Sequence, residues 1–250
     1  MEVDEHIGAL RRDGTLLADA AARAGADAPV PTCPEWVVRD LVQHLGGVHR
    51  WATAIVADAR DEPIGMDEAV GQWPGAKDLL DWFHQGHTAL IDALSDAGPD
   101  LACWTFLAAP SPLSMWSRRQ AHETAIHRVD AELAAGSTPT AVPARLAADG
   151  IDELLTCFIT RPGRGLRTDQ PRSLAIGCDD APGNWLLHIG PNGVEARTID
   201  GAAGADCAVR GTAHDLYLCL WNRGGAEHLA VAGDGDLLDL FLDQVQVRWS

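Results

Sequence analysis

Glu123 and His127 stand four residues apart in Trp116–Asp130, a stretch that reads as helix, so a carboxylate and an imidazole share one face. Donors so placed can hold one divalent ion, with zinc the first candidate. A further donor is His44. Stepping through an earlier helix by threes and fours gives Val37, Leu41, His44, Val48, Trp51 and Ile55, an apolar stripe that His44 interrupts. An imidazole buried in such a seam needs a partner. Three protein ligands would leave coordination positions open, as catalytic sites do and structural ones do not.

Spacing alone leaves other readings open. His44 also fits a core histidine hydrogen-bonded to a neighbour. Glu/His pairs at i,i+4 arise by chance on solvated helices. The most apolar row of the later helix, Met115, His122, Ile126, Val129 and Leu133, sits one residue away from the row carrying Glu123 and His127. His84 and His87, three residues apart beside Leu80, Phe83 and Ile91, fit ligands, substrate contacts or ordinary amphipathic positions.

The elements that must position these residues are helical in the first half. Leu10, Leu16, Leu17, Ala20 and Ala21 give helical spacing over roughly residues 3–24. Thr32-Cys33-Pro34-Glu35 predicts a capping box, with Pro34 in the first turn of a helix running to about Arg60. A third helix spans about 75–97. A fourth begins with Ser111 as N-cap and Pro112 behind it, and runs to about Ala135. Four helices predict a four-helix bundle. Segments 61–74 and 98–110 are long loops carrying Trp73 and Trp104, placed to cap one end.

The second half changes character after the Ser137–Thr140 linker. A helix around 145–160 precedes short apolar runs at Leu174–Cys178, Trp185–Ile189, Val194–Ile199 and Cys207–Val209. Pro, Gly and Asn punctuate them, which predicts an antiparallel meander. His214–Asn222 and Gly235–Gln244 read as helices. The expected fold class is therefore α+β in two domains, a bundle over 1–137 and an antiparallel sheet with helices over 144–250.

Composition bounds the function. The chain of 250 residues carries a formal net charge of −17, which repels nucleic acid and anionic lipid. No apolar run has the length of a membrane span, and the acidic N-terminus lacks a signal peptide's regions. A cytoplasmic protein acting on a small molecule is expected, with no nucleic-acid or membrane partner; the oligomeric state is not legible. The six cysteines include no C-x-x-C pair, which argues against a cysteine zinc site or a redox dithiol.

Four stretches together resemble one family. Pro31–Leu45 is similar to the P-T-C-P-x-W-x-V-x-D-L-x-x-H-L opening of mycothiol-dependent maleylpyruvate isomerase-like proteins. Arg119–Glu132 resembles their R-x-A-H-E-x-x-x-H-R-x-D-A-E helix. Ala148–Leu155 and Val209–Arg223 resemble, less specifically, the entry and a late segment of their second domain. The resemblance implies a DinB-like bundle followed by a sterol-carrier-like α+β domain. It implies a zinc held by His44, Glu123 and His127, and mycothiol as thiol cosubstrate. It also implies an active-site arginine in the second domain, aligned with Arg223.

A thiol on zinc loses its proton near neutral pH. The resulting nucleophile would add to the cis double bond of maleylpyruvate, allow rotation, and leave again. Arg119, Arg128 and Arg223 are the candidates for binding the substrate's carboxylates, since arginine grips a carboxylate bidentately. Arg119 and Arg128 also fit i,i+4 ion pairs with Glu123 and Glu132. Two alternatives share this chemistry in part: a mycothiol S-transferase acting on electrophiles, and a non-enzymatic metal-dependent small-molecule binding or sensor protein.

Overall fold

The computed structural model describes residues 1–161, 165–201 and 204–246. The chain divides into two compact units, Met1–Thr140 and Ala141–Ser250.

The first unit is a four-helix bundle built from α1 (Val3–Ala24), α2 (Val38–Ala57), α4 (Leu79–Asp96) and α5 (Pro112–Ala134), with a one-turn helix α3 (Met66–Val70) in the loop before α4. Helix α1 packs on α5 and α4, and α2 packs on α4 and α5. Leu17, Leu41, Leu45 and Phe83 are fully buried among them. Helix α5 starts as its sequence predicts: Ser111 Oγ accepts from the Ser114 backbone N–H at 3.1 Å, with Pro112 in the first turn. Its missing N–H would have had no helical partner there.

The start of α2 differs from the expectation. Thr32 and Glu35 do not cap it, and Pro34 lies outside it. Residues 29–37 form a series of turns, with Val30 N–H bonded to Trp36 O and Trp36 N–H to Cys33 O, and the helix begins at Val38. Asp40 Oδ2 accepts from the Val37 N–H at 2.9 Å and does the work assigned to Glu35. The Thr32 hydroxyl is used elsewhere, as described below.

Of the two loops expected to cap the bundle, the one over 98–110 packs through rings, whereas Trp73 of the other is exposed, its indole N–H on Asp67. Trp104 and Phe106 pack with Trp51 and Trp116, with centroids 5.1–6.2 Å apart. The indole N–H groups of Trp51 and Trp116 end on the carbonyls of Ile64 and Trp104.

The second unit opens with α6 (Ala144–Asp152), which continues as a π-helical turn over Glu153–Phe158. Among the described residues five strands follow, interleaved with two helices: β1 (Arg172–Cys178), β2 (Asn184–Gly190), β3 (Gly193–Thr198), β4 (Cys207–Gly211), α7 (Ala213–Leu220), β5 (Ala230–Gly233) and α8 (Asp236–Gln244). The sheet order is β3-β2-β1-β4-β5. The first three strands are the expected meander. The fourth is not, because β4 crosses to the free edge of β1 and pairs with it in parallel, Val209 opposite Ile176. The sheet is therefore mixed, and α+β in two units describes the chain. Strand β5, an exposed edge, carries too few large apolar residues to read as a strand in sequence.

None of the six cysteines is in a disulfide. Among the described residues no helix is long and apolar enough to cross a membrane.

Candidate metal centre

Helix α5 is buried on nearly every face, and its polar residues are buried with the rest. Polar side chains in such a place must find partners, and two groups of charged and imidazole side chains on α5 bear on the candidate site.

The first group contains His44, Glu123 and His127, whose ligand atoms all lie within 4.8 Å of one another. Oε1 of Glu123 is 3.3 Å from His44 Nε2 and 3.4 Å from His127 Nε2. The other carboxylate oxygen, Oε2, accepts from Arg119 at 3.2 Å. On its far side His127 Nδ1 meets Asp130 Oδ2 at 2.8 Å, and Asp130 Oδ1 accepts from the Thr32 hydroxyl at 2.5 Å. The Trp36 indole neighbours both imidazoles, its ring centroid 5.0 Å from that of His44 and 6.1 Å from that of His127. Glu123 and His127 are buried; the His44 side chain is 18% exposed and marks the side of the group nearest solvent.

Electrostatics follow from these contacts. Burial works against a charge on Glu123, but the close imidazoles of His127 and His44 and the Arg119 guanidinium outweigh it and hold the carboxyl well below its ordinary range. Burial likewise opposes protonation of His127, yet Asp130 and Glu123 outweigh it and raise the imidazole. His44 moves the other way, because burial dominates its weaker partners.

These residues fit a divalent cation. His127 Nε2 is a buried nitrogen with no hydrogen-bond partner, turned toward Glu123. Donors about 2.0–2.1 Å from a tetrahedral ion lie about 3.3–3.4 Å apart along a tetrahedral edge. The two imidazole-to-Oε1 separations have that length. Two nitrogens and one oxygen suit zinc, and also nickel, iron or manganese.

The second group is Arg128, fully buried, which donates to Glu132 Oε2 at 2.7 Å and to the Thr140 carbonyl, with Asp13 Oδ1 3.4 Å from its Nε. Arg119 and Arg128 thus both form the i,i+4 pairs that their spacing allowed, but inside the protein and not on its surface. Arg223 lies in the second unit just after α7, buried, with Nη1 donating to the Trp221 carbonyl at 2.9 Å. His84 is exposed; His87 is buried and bonds the Leu10 carbonyl at 3.0 Å, so neither joins the triad.

Spacing does not single out Asp130, Thr32 or Trp36 for this site. The signal for Asp130 was present, since it follows His127 by three and so shares its face. Thr32 and Trp36 reach the site through non-helical turns, for which no periodicity speaks. His49 is fully buried on α2, its Nε2 2.9 Å from the Thr124 hydroxyl.

A helical bundle holding a buried imidazole–carboxylate–imidazole group, joined to a mixed-sheet α+β unit, defines a two-domain class with a candidate metal centre in its first domain. Residues 7–132 match the mycothiol maleylpyruvate isomerase N-terminal domain, and residues 145–240 match the MDMPI C-terminal domain. The chain belongs to the mycothiol maleylpyruvate isomerase family. Among solved structures it is similar to the mycothiol-dependent maleylpyruvate isomerase, with a TM-score of 0.63 and 12% identity over 93% of each chain. A point-mutant structure of that isomerase gives 0.64 at the same identity and coverage. At that identity the likeness speaks for the fold. No curated protein matches the chain in sequence.

Proposed function

We propose that this protein is a metal-dependent, mycothiol-using enzyme of the maleylpyruvate isomerase type, with the cation held by His44, Glu123 and His127. The observation that carries the reading is the buried, unbonded Nε2 of His127 facing Glu123 Oε1 at tetrahedral-edge distance, with His44 Nε2 on the same oxygen. A divalent ion bound there, zinc being favoured, would acidify a coordinating thiol so that it is present as thiolate.

The chain's own residues prepare that chemistry. Arg119 occupies one oxygen of Glu123 and leaves the other to the imidazoles. Trp36 shields the two rings, and the partly exposed His44 side gives an incoming sulfur its approach. In isomerisation, a C–S bond forms at one alkene carbon while the electron pair moves onto the conjugated carbonyl. Rotation about the new single bond follows. The pair then returns as the C–S bond breaks, so thiol is regenerated. Arg223 enters this proposal as the residue that contacts the substrate's carboxylate, on the family resemblance. A cytoplasmic location belongs to the same reading.

A second reading, mycothiol S-transferase, is favoured by one observation. Arg119 and Arg128, the arginines closest in sequence to the ligands, are each committed to a buried glutamate. A dicarboxylate would therefore draw little help from them, whereas a neutral electrophile would need none.

Metal analysis of the purified protein tests the site. One equivalent of metal is expected in the wild type and far less in His44→Ala and Glu123→Ala; full metal content in both variants would overturn it. Incubation with mycothiol and maleylpyruvate, or with a simple electrophile, separates the activities. Isomerisation leaves the thiol titre constant, and transfer consumes it one for one. Arg223→Ala should raise KM for the carboxylate substrate.

A further inference from the structure

We infer that Asp130 is the positioning residue of the centre, and that Thr32 fixes Asp130 in turn, so that the turn segment before α2 sets the orientation of a ligand on α5. The inference rests on the reading of His44, Glu123 and His127 as ligands.

The geometry runs in one direction. A carboxylate only accepts, so the 2.8 Å contact of Asp130 Oδ2 places a proton on His127 Nδ1. The ring plane is then fixed with Nε2 toward Glu123. Asp130 sits one turn along the same helix and is fully buried. Thr32, 98 residues distant in sequence, donates to Oδ1, the other oxygen of the same carboxylate. The same segment sets Trp36 beside the His127 ring, with centroids 6.1 Å apart and 28° between planes. One stretch of turns therefore reaches the edge of the imidazole through Thr32 and Asp130 and places Trp36 on its flank. Carboxylates behind ligating histidines fix the tautomer and strengthen the nitrogen as a donor, and removing them costs about 10–100-fold in metal affinity.

The alternative is that Thr32–Asp130 merely fastens the turn segment to the bundle. Metal binding by the full chain distinguishes the two. The metal-free protein is titrated with zinc against a chromophoric chelator, and with cobalt while its visible spectrum is read. Asp130→Asn should weaken zinc binding about 10–100-fold at unchanged stoichiometry and shift the cobalt bands. Thr32→Val should do so to a smaller degree, and Thr32→Ser, which restores the hydroxyl, should bind as the wild type does. Should Asp130→Asn fail to fold, the Thr32→Val and Thr32→Ser pair carries the comparison. Wild-type affinity and an unchanged cobalt spectrum in both Asp130→Asn and Thr32→Val would overturn the inference and leave the metal reading intact. A wild type that binds no stoichiometric ion would overturn both.

Discussion

Arg119 donates to Oε2 of Glu123 from one helical turn away, and both side chains are buried. The pair divides the carboxylate, one oxygen to the guanidinium and one to the imidazoles. Arg119→Met should therefore act twice. Without its partner Glu123 is a buried, under-compensated charge, and the metal-free protein should lose roughly 3–5 kcal/mol. With a cation present part of that loss should return, because the cation supplies the missing charge. Urea unfolding with and without zinc reads both effects; equal losses in the two states would show that Glu123 does not face the ion.

Arg128 gives a contrasting case on the same helix. It joins Glu132 and the Thr140 carbonyl and approaches Asp13, away from the triad. Asp13 keeps Arg12 as a bidentate partner, and Glu132 keeps two donors from Thr140, so both carboxylates retain some compensation when Arg128 is removed. Arg128→Met should cost stability near the lower end of the roughly 3–5 kcal/mol range for broken buried pairs. Its zinc stoichiometry, measured well below the melting temperature, should stay at the wild-type value.

How much of this could be read from residues alone depended on the kind of order involved. The helices of the bundle announced themselves through apolar spacing, and Ser111-Pro112 marked the start of α5 to the residue. Spacing offered three donors of two types on two helices and left their approach open; the family resemblance is what implied the grouping of His44 with Glu123 and His127. Periodicity on α5 pointed weakly, because it assumes one wet face and this helix has almost none. Its Glu123 row and its Met115–Ile126 row are both buried, so hydrophobicity could not rank them. Thr32 was misread as a cap because the local pattern fits a capping box equally well. The residue that claims its hydroxyl, Asp130, lies 98 positions away. The parallel β1–β4 pairing was hidden for the same reason, since strand runs and turn signals carry no record of which edge a later strand joins.

His49 should make the protein acid-sensitive. Burial, then the nearby His87, push its imidazole well below the ordinary 6.5, and His87 is itself lowered by burial. Above pH 6.5 both states are neutral at these positions and they add nothing to the pH dependence. As the pH falls below 6.5 the unfolded chain takes up protons that the folded one refuses, so stability drops. For the fully buried His49 the slope approaches about 1.4 kcal/mol per pH unit until its folded-state value is reached. His49→Phe should flatten the stability profile between pH 6.5 and 5 relative to the wild type. Parallel profiles would mean that the buried imidazole finds a counter-charge.

Gly14 offers a prediction in which helix propensity and packing oppose each other. It lies inside α1, where alanine would ordinarily stabilise by up to about 1 kcal/mol. A β-carbon there would stand 2.2 Å from Nε2 of His87 and 2.5 Å from its Cε1. The imidazole cannot simply withdraw, because Nε2 is bonded to the Leu10 carbonyl one turn earlier and the ring is stacked on Phe83. Gly14→Ala must therefore displace His87 and break that bond, an overpacking cost of about 1–3 kcal/mol that exceeds the propensity gain. The variant should melt below the wild type. Gly14→Ala combined with His87→Ala, which empties the space, should recover part of the loss relative to His87→Ala alone. If Gly14→Ala is as stable as the wild type, the close approach of α1 to α4 at this level does not need a glycine.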